Sequence, residues 1–165
     1  MLFDGFVEVR ASKFGKGLFA LKDFDCNELI CQATGKFLTF EETLQLDDKE
    51  SHSLQIEKEK YILCEAPFLY TNHSCNPNCG LNSNLQLYTL QPIKCGEEFF
   101  WDYSTSMLER HWTMKCNCGS TYCRHLITDF DLLPQEIQYK YLQLNIVLPF
   151  IVDELVSNGS TVCRA

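Results

Sequence analysis

The stretch from Asn72 to Asn78, "NHSCNPN", contains three asparagines, a histidine, a serine, a cysteine and a proline. Asn and Ser side chains compete with the backbone for hydrogen bonds, and proline lacks a backbone donor, so this composition favours neither a helix nor a strand. The stretch is therefore predicted to be a loop. Its density of polar groups raises the question of whether the loop only turns the chain or also carries chemistry.

The chain of 165 residues is long enough for one domain with a packed core. Its formal net charge of -8 argues against direct nucleic-acid binding, which needs a basic surface, and suits a basic protein or peptide partner. Acidity also has a simpler explanation, because it keeps a protein soluble. The longest apolar run near the C-terminus, Ile146–Val152, is too short for a membrane helix. No signal peptide is visible, so we expect an intracellular protein of the cytoplasm or nucleus.

Short β-rich segments dominate the first hundred residues and are separated by Gly, Asn, Pro or charged clusters. They are "FVEV", "GLFAL", "ELICQA", "SLQIE", "KYILC", "LQLYTL" and "EEFFWDY". This pattern predicts a mostly β domain built from small sheets. Two capping boxes, Thr39–Glu42 and Ser106–Glu109, each predict the start of a short helix.

After Leu132 the pattern becomes helical. Pro134 suits the first position of a helix, and its apolar face would hold Ile137, Tyr141, Leu144 and Leu148. Pro149 is expected to kink or end this helix, and a last short helix is expected to stop at Asn158–Gly159. We expect this tail to pack on the core of a monomer, although such an apolar stripe could also pair two chains as a homodimer.

The chain has ten cysteines, and without an export signal they are better explained as reduced thiols or metal ligands than as disulfides. Three of them, Cys116, Cys118 and Cys123, follow the spacing C-x-C-x4-C, which can direct three sulfurs at one tetrahedral zinc ion. A closed zinc site needs a fourth ligand. Cys75 in the polar loop is the preferred candidate, and Cys79 is the alternative.

Two further segments carry candidate groups. "KFGKGLFA", Lys13–Ala20, has glycines that would let a cofactor approach the backbone, although a hairpin also uses such glycines. "GEEFFWDYS", Gly96–Ser104, ends an aromatic strand with Asp102 and Tyr103, where polar groups could reach a cleft. Each segment is ambiguous when it is taken singly.

In this order, the Gly-Lys-Gly segment, "NHSCNPN", "GEEFFWDY" and "CNCGSTYCR" resemble the SET-domain protein lysine methyltransferases with a post-SET zinc segment. The resemblance covers roughly residues 6 to 124 and is closest to small, stand-alone members without a pre-SET region. It implies a mostly β fold of the β-clip type, in which small curled sheets form a pseudoknot, with short helices and a helical C-terminal tail. It also implies a SET domain over 1–105, a post-SET zinc segment over 106–126 and a helical extension over 127–165.

The resemblance further implies that the protein transfers methyl groups from S-adenosylmethionine to a lysine of a basic protein, with a histone tail as one possible substrate. Tyr103 would be the catalytic tyrosine, and Trp101 and Tyr103 would line the lysine channel. One structural zinc ion would be held by Cys75, Cys116, Cys118 and Cys123. The residues implied to bind the cofactor are Gly15, Lys16, Gly17, Tyr70, Asn72, His73, Tyr103 and Leu126.

Three positions depart from the family pattern. Ala33–Lys36, "ATGK", replaces an element that often carries a tyrosine, and Leu69–Tyr70 replaces the usual Arg-Phe. Trp101 stands where Phe or Tyr is usual, and its bulk would narrow the lysine channel. Ala33 and Trp101 motivate an alternative, in which the chain is a SET-like cofactor- or peptide-binding module with little or no catalysis.

Overall fold

Strand pairing divides residues 2–3, 5–47 and 52–158, which this computed structural model describes, into five small sheets. The strands are β1 (Leu2–Phe3), β2 (Val7–Ser12), β3 (Gly15–Ala20), β4 (Leu29–Gln32), β5 (Gly35–Thr39), β6 (Ser53–Glu57), β7 (Lys60–Cys64), β8 (Asn72–His73), β9 (Cys79–Leu81), β10 (Gln86–Thr89), β11 (Phe100–Trp101), β12 (Met114–Lys115) and β13 (Leu126–Ile127). The sheet orders are β1-β2-β3, β4-β10-β9, β5-β7-β6, β8-β11 and β12-β13. The expectation of a mostly β domain made of small sheets is confirmed.

The β2–β3 hairpin follows from its residue pattern. Val7 and Val9 alternate with polar residues and face the core, while Leu18 on β3 is fully buried opposite Val9. The alternation fits a sheet that is covered on one face only. The Gly-Lys-Gly segment is the beginning of β3 and lies beside the turn of this hairpin, at one end of the sheet.

Strands β8 and β11 pair in parallel, with Asn72 opposite Phe100 and His73 opposite Trp101. The Ser74 amide continues this pairing by donating to the Trp101 carbonyl at 3.0 Å. Asn78 fixes the other side, because its side-chain oxygen accepts from the Phe100 amide at 2.7 Å. The polar loop and the end of the aromatic strand therefore lie side by side, as the expected pseudoknot requires.

The first predicted helix start is confirmed and the second is wrong. Helix α1 (Phe40–Thr43) begins with a complete capping box between Thr39 and Glu42. Ser106, in contrast, ends a 3-10 turn (Tyr103–Ser106), and Met107 after it is extended. The Ser106 hydroxyl donates back to the Tyr103 carbonyl, and the Glu109 side chain accepts from Tyr61 instead of capping a helix. Both side chains of the second predicted capping box therefore bind other residues, and no helix begins there.

The C-terminal tail forms two helices, as predicted, but the first ends at Gln143 and does not reach Leu148. Helix α2 (Gln135–Gln143) has Pro134 at its N-cap, and helix α3 (Pro149–Ser157) has Pro149 in its first turn and Asn158 at its C-cap. The break falls at Asn145, whose φ is +54°. The predicted stop at Asn158 is confirmed, whereas Gly159 and Cys163 lie outside the described residues.

The tail packs on the rest of the chain through residues 130–155. Tyr141, Ile146, Leu148 and Ile151 are almost fully buried. A β-carbon added to Gly80 on β9 would lie 2.2 Å from Cγ2 of Ile146, so only glycine allows this approach. Most of the predicted apolar stripe is thus covered by the chain's own core. None of the helices in the described residues is long and apolar enough to cross a membrane.

Candidate active site and metal centre

A large cavity of about 590 Å³ opens between the Gly-Lys-Gly segment, the polar loop and the cysteine-rich segment. Such a volume is within the range of ~300–1,000 Å³ that small-molecule sites occupy. The residues that line it are Phe14, Lys16, His52, Leu69, Tyr70, Asn72, His73, Tyr103, Met114, Lys115, Cys116, Asn117 and Cys118. The large cavity therefore brings together five of the eight residues implied to bind the cofactor.

Asn72 is fixed by two acceptors on opposite sides. Its side-chain amide donates to the Lys16 carbonyl at 2.9 Å and to Glu98 Oε1 at 2.7 Å. The other oxygen of Glu98 accepts from the Ser12 hydroxyl at 2.9 Å. A β-carbon on Gly17 would lie 2.1 Å from Glu98 Oε1, so the glycine leaves room for this carboxylate. Gly17 thus shapes the cavity wall indirectly, without lining the cavity.

Tyr103 lies where the large cavity meets a small cavity of about 70 Å³. The two cavities share Tyr103, Leu69 and His52. The Tyr103 hydroxyl donates to the Thr71 carbonyl at 2.9 Å, and its ring centroid is 5.0 Å from that of Trp101. Burial raises the pKa of Tyr103 well above its ordinary value, so the hydroxyl stays protonated.

Further members of the small cavity come from the β6–β7 hairpin and from residues 106–112. The remaining lining residues are Thr43, Ser53, Leu54, Gln55, Tyr61, Cys64, Phe68, Thr71, Trp101, Ser106, Met107, Glu109 and Trp112. Trp101 is only 5% exposed. Its indole lies beside the Tyr103 ring, and five of the sixteen residues that line the small cavity are Phe, Tyr or Trp.

His73 connects the large cavity to the cysteines. Burial lowers the pKa of His73 to about 4, so the ring is neutral near pH 7. The Tyr103 amide approaches Nδ1 at 3.3 Å, which requires Nδ1 to be the acceptor. Nε2 then carries the proton and faces the Cys75 sulfur at 3.3 Å. This tautomer places a donor on the sulfur, as an outer partner of a metal ligand does.

Four cysteines, Cys75, Cys116, Cys118 and Cys123, have sulfurs that all lie within 4.8 Å of one another. Two of the separations, from Cys116 to Cys75 and from Cys116 to Cys123, are 3.7 Å. Sulfurs at about 2.3 Å from a tetrahedral zinc ion would be about 3.8 Å apart. The donor set and its spacing therefore fit one zinc ion. Cys79 is not a member of this group, and its thiol contacts Asn78 Oδ1 at 3.3 Å.

The thiols differ in their acidity. Burial raises the pKa of Cys75 to about 11 and also raises that of Cys116. Burial acts in the same direction on Cys118, but hydrogen bonds from backbone amides and neighbouring thiols outweigh it and lower its pKa to about 7. The group therefore holds protons that a bound cation would displace.

Arg124 links the cysteine cluster to the end of strand β11. Its backbone amide donates to the Cys75 sulfur at 3.4 Å, and its guanidinium binds both oxygens of Asp102. The Tyr141 hydroxyl on α2 donates to the same carboxylate at 2.9 Å. One buried carboxylate thus connects the cysteine cluster, the segment before Tyr103 and the C-terminal tail.

The structure separates the implied cofactor residues into two groups. Lys16, Tyr70, Asn72, His73 and Tyr103 line the large cavity, while Gly15, Gly17 and Leu126 do not. Leu126 is 45% exposed and pairs with Lys115, so its neighbours on β12 line the cavity in its place.

Sequence reasoning missed Glu98, Glu109, Arg124 and the role of Asp102. Glu98 and Asp102 stand in a segment already singled out, where acidic residues beside aromatic ones could have signalled buried carboxylates. Arg124 follows directly on the last cysteine of the cluster. No local signal marks Glu109 as a cavity residue, because its partner Tyr61 is distant in sequence.

Comparison with known proteins agrees with this geometry. A family model described as SET domain matches residues 15–104, which is more than half of the chain. The chain therefore belongs to the SET-domain family. A solved structure of an active polycomb repressive complex 2 in the basal state includes a chain with TM-score 0.51 and 20% identity, over 58% of this chain and 15% of that one. At this identity the similarity shows a shared fold and nothing further.

Three curated relatives illustrate the sequence similarity. Histone-lysine N-methyltransferase 2B of Homo sapiens is 25% identical over 134 residues, which is 72% of this chain and 5% of the relative. The variant-silencing SET domain-containing protein of Plasmodium falciparum is 29% identical over 135 residues, or 69% and 5%. Histone-lysine N-methyltransferase ASHH2 of Arabidopsis thaliana is 27% identical over 139 residues, or 74% and 8%. The chain spans less than a tenth of the length of these three relatives.

Proposed function

We propose that this chain is a protein lysine N-methyltransferase that uses S-adenosylmethionine. The observation that carries the proposal is the position of Tyr103, where the large and small cavities adjoin. A methyl donor in one cavity and a lysine side chain in the other would meet beside this hydroxyl. The named activities of the histone-lysine N-methyltransferases among the relatives support the same reaction class.

The large cavity fits the proposed cofactor. Its volume of about 590 Å³ suits a nucleoside-sized ligand, and its wall carries the Lys16 backbone and the polar side chains of Asn72 and His73. When bound, S-adenosylmethionine supplies a methyl group on a sulfonium. Lys16, Tyr70, Asn72 and His73 would hold it, and Asn72 is already oriented for this by Glu98.

Positioning is the main task that methyl transfer sets for the protein, because the reaction is an in-line displacement. The acceptor lysine, with a reference pKa of about 10.4, must lose a proton before it can attack. A narrow passage beside Trp101 excludes water and lowers the pKa of a lysine that is held there. The protonated Tyr103 hydroxyl, anchored on the Thr71 carbonyl, keeps a lone pair that can orient the reacting groups.

The cysteine cluster has a structural role in this proposal. Cys75, Cys116, Cys118 and Cys123 would hold one zinc ion with no open position. Since Cys116 and Cys118 also line the large cavity, the zinc would fix one wall of the cofactor site. The segment 106–126 would then act as a post-SET unit on the domain 1–105, with the helical extension 127–165 packed against both.

A basic protein segment is the proposed substrate class, with a histone tail as one candidate. The formal net charge of the chain is -8, so it would attract a Lys-rich peptide over long range. The small cavity is narrow enough to admit one side chain at a time. A single lysine of an extended peptide would therefore enter it.

The test is transfer of a labelled methyl group to a panel of basic proteins by zinc-loaded protein, with the modified lysine identified by mass spectrometry. Tyr103→Phe should bind S-adenosylmethionine normally in calorimetry and lose about a hundredfold or more of the transfer rate. Absence of cofactor binding by the unmodified protein would refute the proposal. Cofactor binding without transfer to any protein would favour the alternative of a SET-like binding module, which Ala33 and Trp101 motivate.

A further inference from the structure

The small cavity holds polar atoms that have no partner among the described residues. Nε1 of Trp101 and Oγ of Ser53 are both buried and make no hydrogen bond, and both residues line this cavity. Unpaired buried polar groups are rare in proteins, because each has lost its hydrogen bonds to water without a replacement. A polar ligand in the cavity would supply a hydrogen-bond partner for these two atoms.

Glu109 places a carboxylate in the same wall. Its Oε2 accepts a hydrogen bond from the Tyr61 hydroxyl at 2.5 Å, and Tyr61 itself is only 3% exposed. The described residues that line the cavity include no Lys or Arg. The carboxylate therefore has hydrogen-bond donors beside it and no Lys or Arg among the described lining residues, while the charge of His111 acts on it from outside the lining.

The size of the small cavity suits one linear side chain. Its volume of about 70 Å³ is far below the 590 Å³ of the large cavity, which fits a side chain better than a nucleoside-sized ligand. A lysine side chain consists of four methylene groups and one nitrogen. The aromatic rings of Phe68, Trp101 and Tyr103 would cover the methylenes, while the nitrogen needs polar partners.

We propose that Glu109, held by Tyr61, is the counter-ion that recognises the ammonium group of the acceptor lysine in the small cavity. This inference rests on the proposed function and names the residue that selects a cationic side chain. Glu109 binds the ammonium through a charge-assisted hydrogen bond as the lysine enters, and the same carboxylate then accepts the proton that the lysine must lose before it attacks the methyl group. Tyr61 is a positioning residue, because its hydroxyl aims the carboxylate.

The electrostatic surroundings of Glu109 favour a cation. Burial raises the pKa of Glu109, and the charge of Asp129 acts in the same direction, while hydrogen bonds from Tyr61 and the Trp112 backbone and the charge of His111 oppose them. The balance leaves the ionised carboxylate less favoured than it is in water. A bound ammonium would compensate this charge, so carboxylate and ligand stabilise each other.

The experiment measures binding of n-butylammonium, which has the shape and charge of a lysine side chain, by calorimetry with zinc-loaded protein. Glu109→Gln keeps the hydrogen bonds with Tyr61 and the Trp112 amide but removes the charge. It should weaken n-butylammonium binding about tenfold or more. Tyr61→Phe should weaken it about threefold to tenfold. Glu136→Gln, which removes one charge from the first turn of α2, is the matched control and should leave binding unchanged.

Equal binding by Glu109→Gln and unmodified protein would overturn the inference, and so would a lack of n-butylammonium binding to unmodified protein. A purely structural role for Glu109 would lower thermal stability without changing the preference for n-butylammonium over neutral 1-butanol. S-adenosylmethionine binding is measured on the same samples. If the unmodified protein does not bind S-adenosylmethionine, the proposed function is refuted. The difference in n-butylammonium binding between Glu109→Gln and the unmodified protein would still decide the role of Glu109.

Discussion

Arg124 holds Asp102 in a buried, two-armed ion pair, with Nη1 and Nη2 at 2.7 and 2.8 Å from the two carboxylate oxygens. The Asp102 side chain is fully buried and that of Arg124 is 13% exposed. Asp102 also accepts from the Ser104 amide, which fixes the turn that contains Tyr103. The ion pair therefore fixes the backbone conformation that places Tyr103 in the site.

Arg124→Met should destabilise the protein strongly. The variant removes both guanidinium hydrogen bonds and the charge partner from the buried Asp102 carboxylate, and such a loss costs about 3–5 kcal/mol. Urea unfolding of zinc-loaded protein measures the change in the free energy of unfolding. Arg10→Met, at a residue whose side chain is 45% exposed, is the control and should cost about 1 kcal/mol or less. Equal costs for the two variants would show that the Arg124 pair is not important for stability.

Tyr141→Phe should lower the free energy of unfolding by about 1–3 kcal/mol, because it removes one hydrogen bond from a buried carboxylate. Tyr139→Phe changes the same atom on the same helix at a side chain that is 60% exposed, and should have almost no effect. The two melting curves are compared directly. Coincident curves would mean that the tail does not stabilise the site through Asp102.

Cys75→Ser and Cys79→Ser distinguish the two candidates for the fourth zinc ligand. Cys75→Ser should reduce bound zinc below one ion per chain and weaken S-adenosylmethionine binding, because Cys116 and Cys118 belong to both sites. Cys79→Ser should keep both properties. Zinc is measured by atomic absorption and cofactor binding by calorimetry. A chelator should lower the melting temperature of the unmodified protein, and insensitivity to the chelator would contradict a structural zinc.

Gly17→Ala should weaken cofactor binding about tenfold, because the new β-carbon would push Glu98 away and release the Asn72 amide. A double-mutant cycle with Glu98→Ala tests this route. In the Glu98→Ala background, Gly17→Ala should add little further loss. Fully additive losses would mean that the two residues act independently.

Sequence alone predicts those parts of the site that depend on local spacing. The residue types at Asn72, His73 and Cys75 already indicate a polar loop with ligating groups, and C-x-C-x4-C places three sulfurs together without long-range information. Capping boxes follow the same local logic, yet only Thr39–Glu42 forms one. At Ser106–Glu109 the side chains bind Tyr103 and Tyr61 instead. The capping-box pattern cannot predict these partners, because it considers only four consecutive residues.

The remaining features depend on contacts between distant segments. Arg124 meets Asp102, and Ile146 meets Gly80, only after the sheets have been assembled. The break between α2 and α3 is also of this kind. The apolar pattern continues through it, and buried residues from both sides, such as Tyr141 and Ile151, join the same apolar cluster, yet the helix is interrupted at Asn145, where φ is +54°. Apolar periodicity and Pro149 therefore predict two helices, but they place the break after Leu148, whereas the first helix already ends at Gln143.

The parallel pairing of β8 and β11 has a consequence for the order in which the chain folds. Each of these strands has two residues, so neither can form before the chain between them has folded and brought their ends together. The antiparallel hairpins β2–β3 and β6–β7 close short loops and can form early. Cys75 and Cys116 are 41 residues apart in the sequence, so we expect their sulfurs to meet after the hairpins have formed. A zinc ion bound by the four cysteines would then stabilise this late contact between distant segments.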